Sequence, residues 1–323
     1  MVDFSKAAEP NKLWIVECNG TPRSGKGTIT SGLAKSVSGA ALEETGIDYR
    51  AVTFCLLEKN IIQENSAQDE ILAEIEKLSD EEVASFVANR HEIVTNGKQK
   101  ELYGNTVSSL VGKIARHPKV RVAVKNAFRQ RVQKHIADPE TYILFIDGRD
   151  LIKVIKDLPG INTLIRLFID CQPFVAAIRE ARRQKIDVDD PKNDEWYRAA
   201  LQNIRDRQHA DESRKIDPVA VDGDAINYWY NVAVEYETAE RLSKKQNISF
   251  AAAADITTSH NDFRADGRYG AGAKAVEEDR QVYFDTTEIN KDTMLSLVER
   301  MIEEAVAQHD GSYKEQSGEL IEK

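Results

Sequence analysis

Leu13-Trp14-Ile15-Val16-Glu17-Cys18-Asn19-Gly20-Thr21-Pro22-Arg23-Ser24-Gly25-Lys26-Gly27-Thr28 is the stretch on which the fold turns. Leu13 to Cys18 is rich in apolar and β-branched residues and runs into Asn19-Gly20, as a buried strand meeting a turn does. Gly20 to Lys26 then fits G-x-x-x-x-G-K. Glycines at the first and sixth positions let the backbone bend so that successive N–H groups point inward at phosphate oxygens. A helix read from about Lys26 to Val37 adds its positive N-terminal end. Lys26 has the reach to meet the β- and γ-phosphates of a nucleotide. In the usual motif Ser or Thr follows the lysine directly; here Gly27 intervenes, and Thr28 is the candidate hydroxyl for phosphate or Mg²⁺. The bland alternative is a glycine-rich turn with an exposed lysine. The strand before and the helix after favour the phosphate-binding set Gly20, Pro22, Arg23, Ser24, Gly25, Lys26, Gly27 and Thr28.

Outward from this loop, strands and helices alternate. Tyr142 to Ile146 and Thr163 to Ile169 are nearly continuous apolar strands, each ending at an aspartate, and Gln281 to Phe284 is a last strand. Such strands interleaved with helices predict a parallel sheet covered on both faces. Helical spacing runs from Ile71 to Asn89, with Ser79 as a cap before Asp80, Glu81 and Glu82. It resumes from Val107 to Ala137 with a break at Pro118, then over Phe174 to Lys185, Trp196 to Arg214, and a final amphipathic helix that Asn290 can cap. An acidic break, Asp187 to Pro191, separates two of these helices. The stretch from about 219 to 280 fits the alternation least, and its glycine-rich later part reads as a loop.

The 323 residues carry 54 acidic and 44 basic side chains, a net charge of −10, which argues against a non-specific nucleic-acid binder. It does not exclude an anionic substrate, because a pocket can be locally basic. Three scattered cysteines form no disulfide framework and fit a reducing cytoplasm. No apolar run approaches the ~20 residues of a membrane span, and the N-terminus lacks a secretory pattern. A cytoplasmic protein without a membrane partner is expected.

The GKGT ending is the form found in nucleoside monophosphate kinases, and four further segments make the chain resemble cytidylate kinases. Leu42-Glu43-Glu44-Thr45-Gly46-Ile47-Asp48-Tyr49-Arg50-Ala51 looks like that family's D-[ST]-G-x-x-Y-R-A. His117-Pro118-Lys119-Val120-Arg121 resembles its x-P-x-V-R, and Asp147-Gly148-Arg149-Asp150 its D-G-R-D. Arg207-Gln208-His209-Ala210-Asp211-Glu212-Ser213-Arg214 fits its R-x-x-x-D-x-x-R, with Pro218 beyond. The order is the family's, and the likeness resumes at Tyr283 to Thr287.

The resemblance implies an α/β fold of the P-loop NTPase type, a parallel sheet flanked by helices with an NMP-binding insertion and a lid. One kinase domain would comprise a core of about 12–50, 104–180, 196–218 and 281–310, an NMP-binding insertion of about 51–103, a lid of about 179–195, and an unassigned insertion of about 219–280. It implies the substrates ATP and CMP or dCMP, the cofactor Mg²⁺, and a cytoplasmic enzyme of pyrimidine nucleotide metabolism; a monomer is the default expectation. Thr45, Tyr49 and Arg50 would cradle the acceptor phosphate, Arg149 and Arg214 would clamp it, and Arg121 and Asp150 would contact cytosine. Arg207 and Asp211 would hold the ribose, and Asp147 would hold water on the metal. Arg179, with Arg182 and Arg183 after it, would close from the lid onto the transferring group. Taken alone, D-G-R-D is a tight turn with a surface ion pair, and the Arg207, Asp211, Arg214 spacing a salt-bridged helix face.

The chain also departs from that pattern. Gly112 stands where the family has a base-reading serine, with Ser108 and Ser109 as possible substitutes; Glu44 and Asn19 stand where it usually has Asp. The segment between the Tyr-Arg and P-x-V-R motifs is helical in pattern where the family forms a sheet. Two other readings stay open: a kinase for another monophosphate or small acceptor, and a nucleotide-binding module without catalysis.

Overall fold

The computed structural model describes residues 12–148, 151–213, 281–286 and 291–309. At its centre is β1 (Leu13–Gly20), paired in parallel with β3 (Ile143–Asp147) on one side and β4 (Ile161–Asp170) on the other. β2 (Ala40–Glu44) lies outside β3, and β5 (Gln281–Asp285) outside β4. The sheet order is therefore β2-β3-β1-β4-β5, every pair parallel. The strand order reverses beside β1, so a crevice opens at the carboxyl ends of β1, β3 and β4, the place where such sheets bind ligands.

Strand alternation sends successive side chains to opposite faces of this sheet. Trp14, Val16, Cys18, Ile143 and Phe145 pack against α1 (Lys26–Ser36) and α12 (Lys291–His309), through Ile29, Leu33, Val298, Ile302 and Ala305. Leu13, Ile15, Leu144 and Ile146 face α8 (Pro118–Ala137) and the short α9 (Ile152–Ile155), through Phe128 and Val132. The expected two-sided cover is thus present, and the final helix buries the stripe its sequence pattern marks.

A second core belongs to the arm between β2 and α8. It comprises α2 (Thr45–Glu58), α3 (Gln68–Lys77), α4 (Asp80–Ala88), α5 (Arg90–Thr95), α6 (Gln99–Leu102) and α7 (Asn105–Ile114). Ser79 caps α4 as expected: its hydroxyl accepts from the Glu82 N–H at 3.1 Å while Glu82 accepts from the Ser79 N–H at 2.8 Å. Pro118 opens α8 at its first turn, where a missing N–H costs nothing. The arm is helical throughout its described length.

Past β4, α10 (Pro173–Gln184) and α11 (Asp194–Glu212) pair through Phe174, Ile178, Tyr197 and Leu201, with the Tyr197 hydroxyl donating to the Phe174 carbonyl at 2.9 Å. Arg149, Asp150, Arg214, Pro218, Thr287, the Asn290 cap, the 219–280 insertion and the stretch after 309 lie outside the described residues. No helix among the described residues is long and apolar enough to cross a membrane.

Candidate active site

The loop between β1 and α1 has the geometry that its glycines foreshadow. Gly20 has φ +132°, and a Cβ there would overlap the Ile169 backbone of the neighbouring strand. Gly25 is the N-cap of α1 at φ +106°. Between them Arg23 also takes a left-handed φ, +63°. The loop is tied down by its own atoms: the Asn19 side chain accepts from the Gly20 N–H at 2.8 Å, and the Ser24 hydroxyl donates to the Thr21 carbonyl at 2.9 Å. The Thr21 hydroxyl donates to Asp170 at 2.6 Å. The Lys26 ammonium sits inside this curl, donating to the carbonyls of Gly20 at 2.9 Å and Thr21 at 2.5 Å.

Arg179 holds the loop from outside. Its guanidinium donates to the carbonyls of Arg23 at 3.3 Å and Ser24 at 3.1 Å, and to the hydroxyl and carbonyl of Thr286 just past β5. The fully buried Thr286 hydroxyl in turn donates to the Ser24 or Asp170 carbonyl, at 2.6 and 2.9 Å. In a trans peptide the carbonyl and the next N–H point in opposite directions. Fixing the Arg23 and Ser24 carbonyls outward therefore aims the Ser24 and Gly25 N–H groups into the cradle. The lid arginine expected to reach across the site is placed here on the loop's outer wall.

Next to the cradle is a cavity of about 290 Å³. Its end beside the cradle is lined by Lys26, Thr45, Tyr49, Arg50 and Asp147, and its far end by Val111, Gly112, Ala115, Arg121, Val124 and Lys125; Arg207 borders it from α11. The structure thus brings together residues from all five segments quoted above. Asp211 is buried one turn along α11 and does not line the cavity. Arg50 is held by three groups of the arm: it donates to the Leu102 carbonyl at 2.8 Å and the Ser108 hydroxyl at 3.0 Å, and lies over the Tyr103 ring at 4.8 Å. Burial lowers its pKa against the opposing pull of Tyr103, and the charges of Arg23 and Arg183 add to the lowering.

Asp147 and Glu44 are register partners at the ends of β3 and β2. Burial raises both carboxyls above the usual range; the charge of Asp147 raises Glu44 further, while Lys26 opposes the rise at Asp147. A Cβ on Gly27 would lie 3.7 Å from an Asp147 oxygen, so that carboxylate faces the first turn of α1. Among the described residues the hydroxyls of Thr30 and Ser31 are bonded to helix carbonyls, whereas the half-buried Thr28 hydroxyl makes no such bond.

Two sequence expectations change at the far end. Ser108 is occupied with Arg50, and Ser109 is exposed and bonded to the Thr106 carbonyl at 2.8 Å, so neither serine lines the cavity. Gly112 does, and nothing lies within 4 Å of a Cβ built on it. Tyr103, Lys125 and Glu180 are site residues that no motif singled out, whereas Thr286 falls in the segment where the likeness resumes. Of those three only Tyr103, an aromatic in a charged helical stretch, carried any signal.

Comparison with known proteins agrees with this arrangement. The sequence profile described as Cytidylate kinase matches residues 16–244. A cytidylate kinase of Mycoplasma capricolum is 30% identical over 220 residues, covering 67% of this chain and 86% of its own length. One of Fusobacterium nucleatum is 30% identical over 237 residues, 72% and 96% of the two chains. One of Caldanaerobacter subterraneus is 27% identical over 232 residues, 70% and 92%. The match spans the phosphate cradle, the helical arm, α10 and α11 alike, and the chain belongs to the cytidylate kinase family.

Proposed function

We propose that this chain transfers the γ-phosphoryl group of Mg·ATP to CMP or dCMP, giving CDP or dCDP and ADP. The observation that carries the reading is the continuity of the cradle with the cavity: Gly20, Pro22 and Lys26 of the loop line it together with Thr45, Tyr49, Arg50 and Asp147. No side chain need act as nucleophile. An oxygen of the acceptor phosphate forms the new bond to the γ-phosphorus as the bond to the β–γ bridging oxygen breaks and ADP leaves. The work of the protein is alignment and charge, which is most of what phosphoryl transfer demands.

The roles of the described cavity residues follow from position, and those of Arg149, Asp150, Asp211 and Arg214 from the family resemblance. Ser24 and Gly25 N–H groups, aimed inward by Arg179 and Thr286, receive donor phosphate oxygens, and Lys26 spreads charge over them. Thr45, Tyr49 and Arg50 take the acceptor phosphate, with Arg149 and Arg214 completing the clamp; Arg207 and Asp211 attend the ribose. Arg121 and Asp150 attend the base. Thr28 and Asp147, hard oxygen donors on adjoining elements, suit Mg²⁺ held through water. When bound, the metal neutralises charge on the β- and γ-phosphates. Open space at Gly112 favours a second acceptor, UMP, for which the far end would lack a discriminating hydroxyl.

The test is ADP release from Mg·ATP with CMP, dCMP, UMP, AMP and GMP offered separately. Turnover with the pyrimidine monophosphates is expected, and Lys26→Ala should lower kcat by about 10²-fold or more. Nucleotide binding without ADP release would leave a catalytically inactive module.

A further inference from the structure

Arg23 is an arginine in a backbone conformation suited to glycine. At φ +63° its Cβ crowds the following carbonyl, a strain that glycine would not carry. Strained residues persist where the surroundings over-determine them, and they gather at functional sites. Here the surroundings are specific. The Arg23 guanidinium is paired with Glu180 of α10, a largely buried carboxylate that also accepts from Arg183 at 2.8 Å and from Gln184 at 2.8 Å. Arg23 and Glu180 line a second cavity of about 290 Å³ beneath α11, and Pro22 and Arg207 line both that cavity and the acceptor cavity.

Three guanidinium groups from three parts of the fold gather around the two adjoining cavities: Arg50 of the arm lines the first, Arg23 of the loop lines the second, and Arg183 of α10 shares Glu180 with Arg23. The charge of Arg183 disfavours the charged form of Arg23, and both disfavour that of Arg50. Glu180 is the carboxylate paired with two of them. A polyphosphate brings more negative charge than one carboxylate, and its oxygens suit the two-pronged donor of a guanidinium.

We propose that the Arg23 side chain is a catalytic residue of the phosphoryl transfer, kept despite backbone strain, and that Glu180 parks it until a polyphosphate takes its place. The proposal rests on the phosphotransfer reading above. Arg23 forms no covalent bond and moves no proton. It donates N–H groups to oxygens of the group in flight, while the bond from acceptor oxygen to γ-phosphorus forms and that to the bridging oxygen breaks. Backbone N–H groups of the loop need no side chain at position 23; the transfer role does.

The test uses the full chain with Arg23→Gly and Arg23→Lys, reading kcat with CMP, the ATP KM and the thermal midpoint. Glycine relieves the strain, so that variant should melt no lower than the parent while its kcat falls about tenfold or more. The lysine variant, which keeps the charge without the fork, should fall between the two. A glycine variant with parental kcat overturns the proposal. So does one whose kcat and thermal midpoint fall together, with lysine restoring both, because that is a structural tie between loop and α10. If the parent releases no ADP with any monophosphate, the phosphotransfer reading fails separately. Calorimetry with Mg·ATP then decides: unchanged affinity in Arg23→Gly overturns the side-chain role, and a loss of about tenfold retains it as a polyphosphate contact.

Discussion

Asp48→Asn should destabilise the protein and loosen its grip on the acceptor more than on ATP. The Asp48 carboxylate is 0% exposed and accepts from Arg131 at 2.7 Å and Arg90 at 3.1 Å. Beside it Glu43 accepts from the same two arginines at 2.8 and 3.2 Å and meets His135 at 3.3 Å. Two buried carboxylates thus face two guanidiniums where β2, α2, α5 and α8 meet. Removing one partner of a buried pair costs about 3–5 kcal/mol, because the other is left uncompensated. Arg90 and Arg131 stay 19% and 24% exposed and keep Glu43, and burial raises the Asp48 carboxyl against their pull, so at most the lower end applies, about 3 kcal/mol. For a chain of this size, at about 2.1 cal/mol/K of unfolding entropy per residue, that lowers the thermal midpoint by roughly 4–5 °C. Thr45, Tyr49 and Arg50 share the first turns of α2 with Asp48, so the CMP KM should rise while the ATP KM holds. Calorimetric melting and steady-state kinetics on the same preparation check both halves. Asp157→Asn is the control: its pair with Arg129 is 65% exposed at the carboxylate, and its midpoint should not move. An Asp48→Asn protein that melts with the parent would refute the claim that this cluster fixes the arm to the sheet.

Other substitutions probe the site directly. Gly20→Ala places a Cβ against the Ile169 backbone at a φ alanine avoids, so Mg·ATP binding should be lost by calorimetry. Gly112→Ser meets no neighbour, so the variant should fold as the parent and shift the ratio of CMP to UMP turnover; an unchanged ratio removes Gly112 from base selection. Burial, and for Glu44 also the charge of Asp147, raises both carboxyls. A raised acid favours folding while it is protonated and loses that contribution as the pH climbs from about 4, the ordinary carboxylate value, through its own. Asp147→Asn should therefore melt higher than the parent at pH 7 yet turn over more slowly. The acid limb of kcat/KM for ATP should lie above pH ~4 in the parent and change in this variant.

The cradle could be read from the chain because one uninterrupted stretch carries the strand, the glycines, the lysine and the helix start. The Ser79 cap and the Pro118 break are equally local, and each proved to be where it was read. β2 carries no strand signal: Ala40-Ala41-Leu42-Glu43-Glu44 is composed for a helix, and pairing with β3 overrides that preference. Glu43 faces the ion cluster and Glu44 the cavity, so function occupies the positions where a strand's apolar signal would stand. The cluster itself joins Arg131 to partners 83 and 88 residues earlier, and no window along the sequence displays such a pair. Arg179 shows the same limit. Its place in a basic helix was plain, but its partners on the loop and beyond β5 are fixed only by the closed sheet.

That closure has a consequence for how the protein comes to be. The hydroxyl that secures the Ser24 carbonyl comes from Thr286, 262 residues later in the chain. At 5–20 residues per second, a ribosome needs roughly 13–52 s to travel that distance. Through that interval the loop has its glycines and its lysine but not the complete outer wall that aims its N–H groups, which Thr286 finishes. A nascent chain is therefore a poor nucleotide trap, and the cradle is among the last parts to be finished. Non-local closure of this kind is slow to form, so ATP added during refolding should bind late, in step with the docking of β5 and α12.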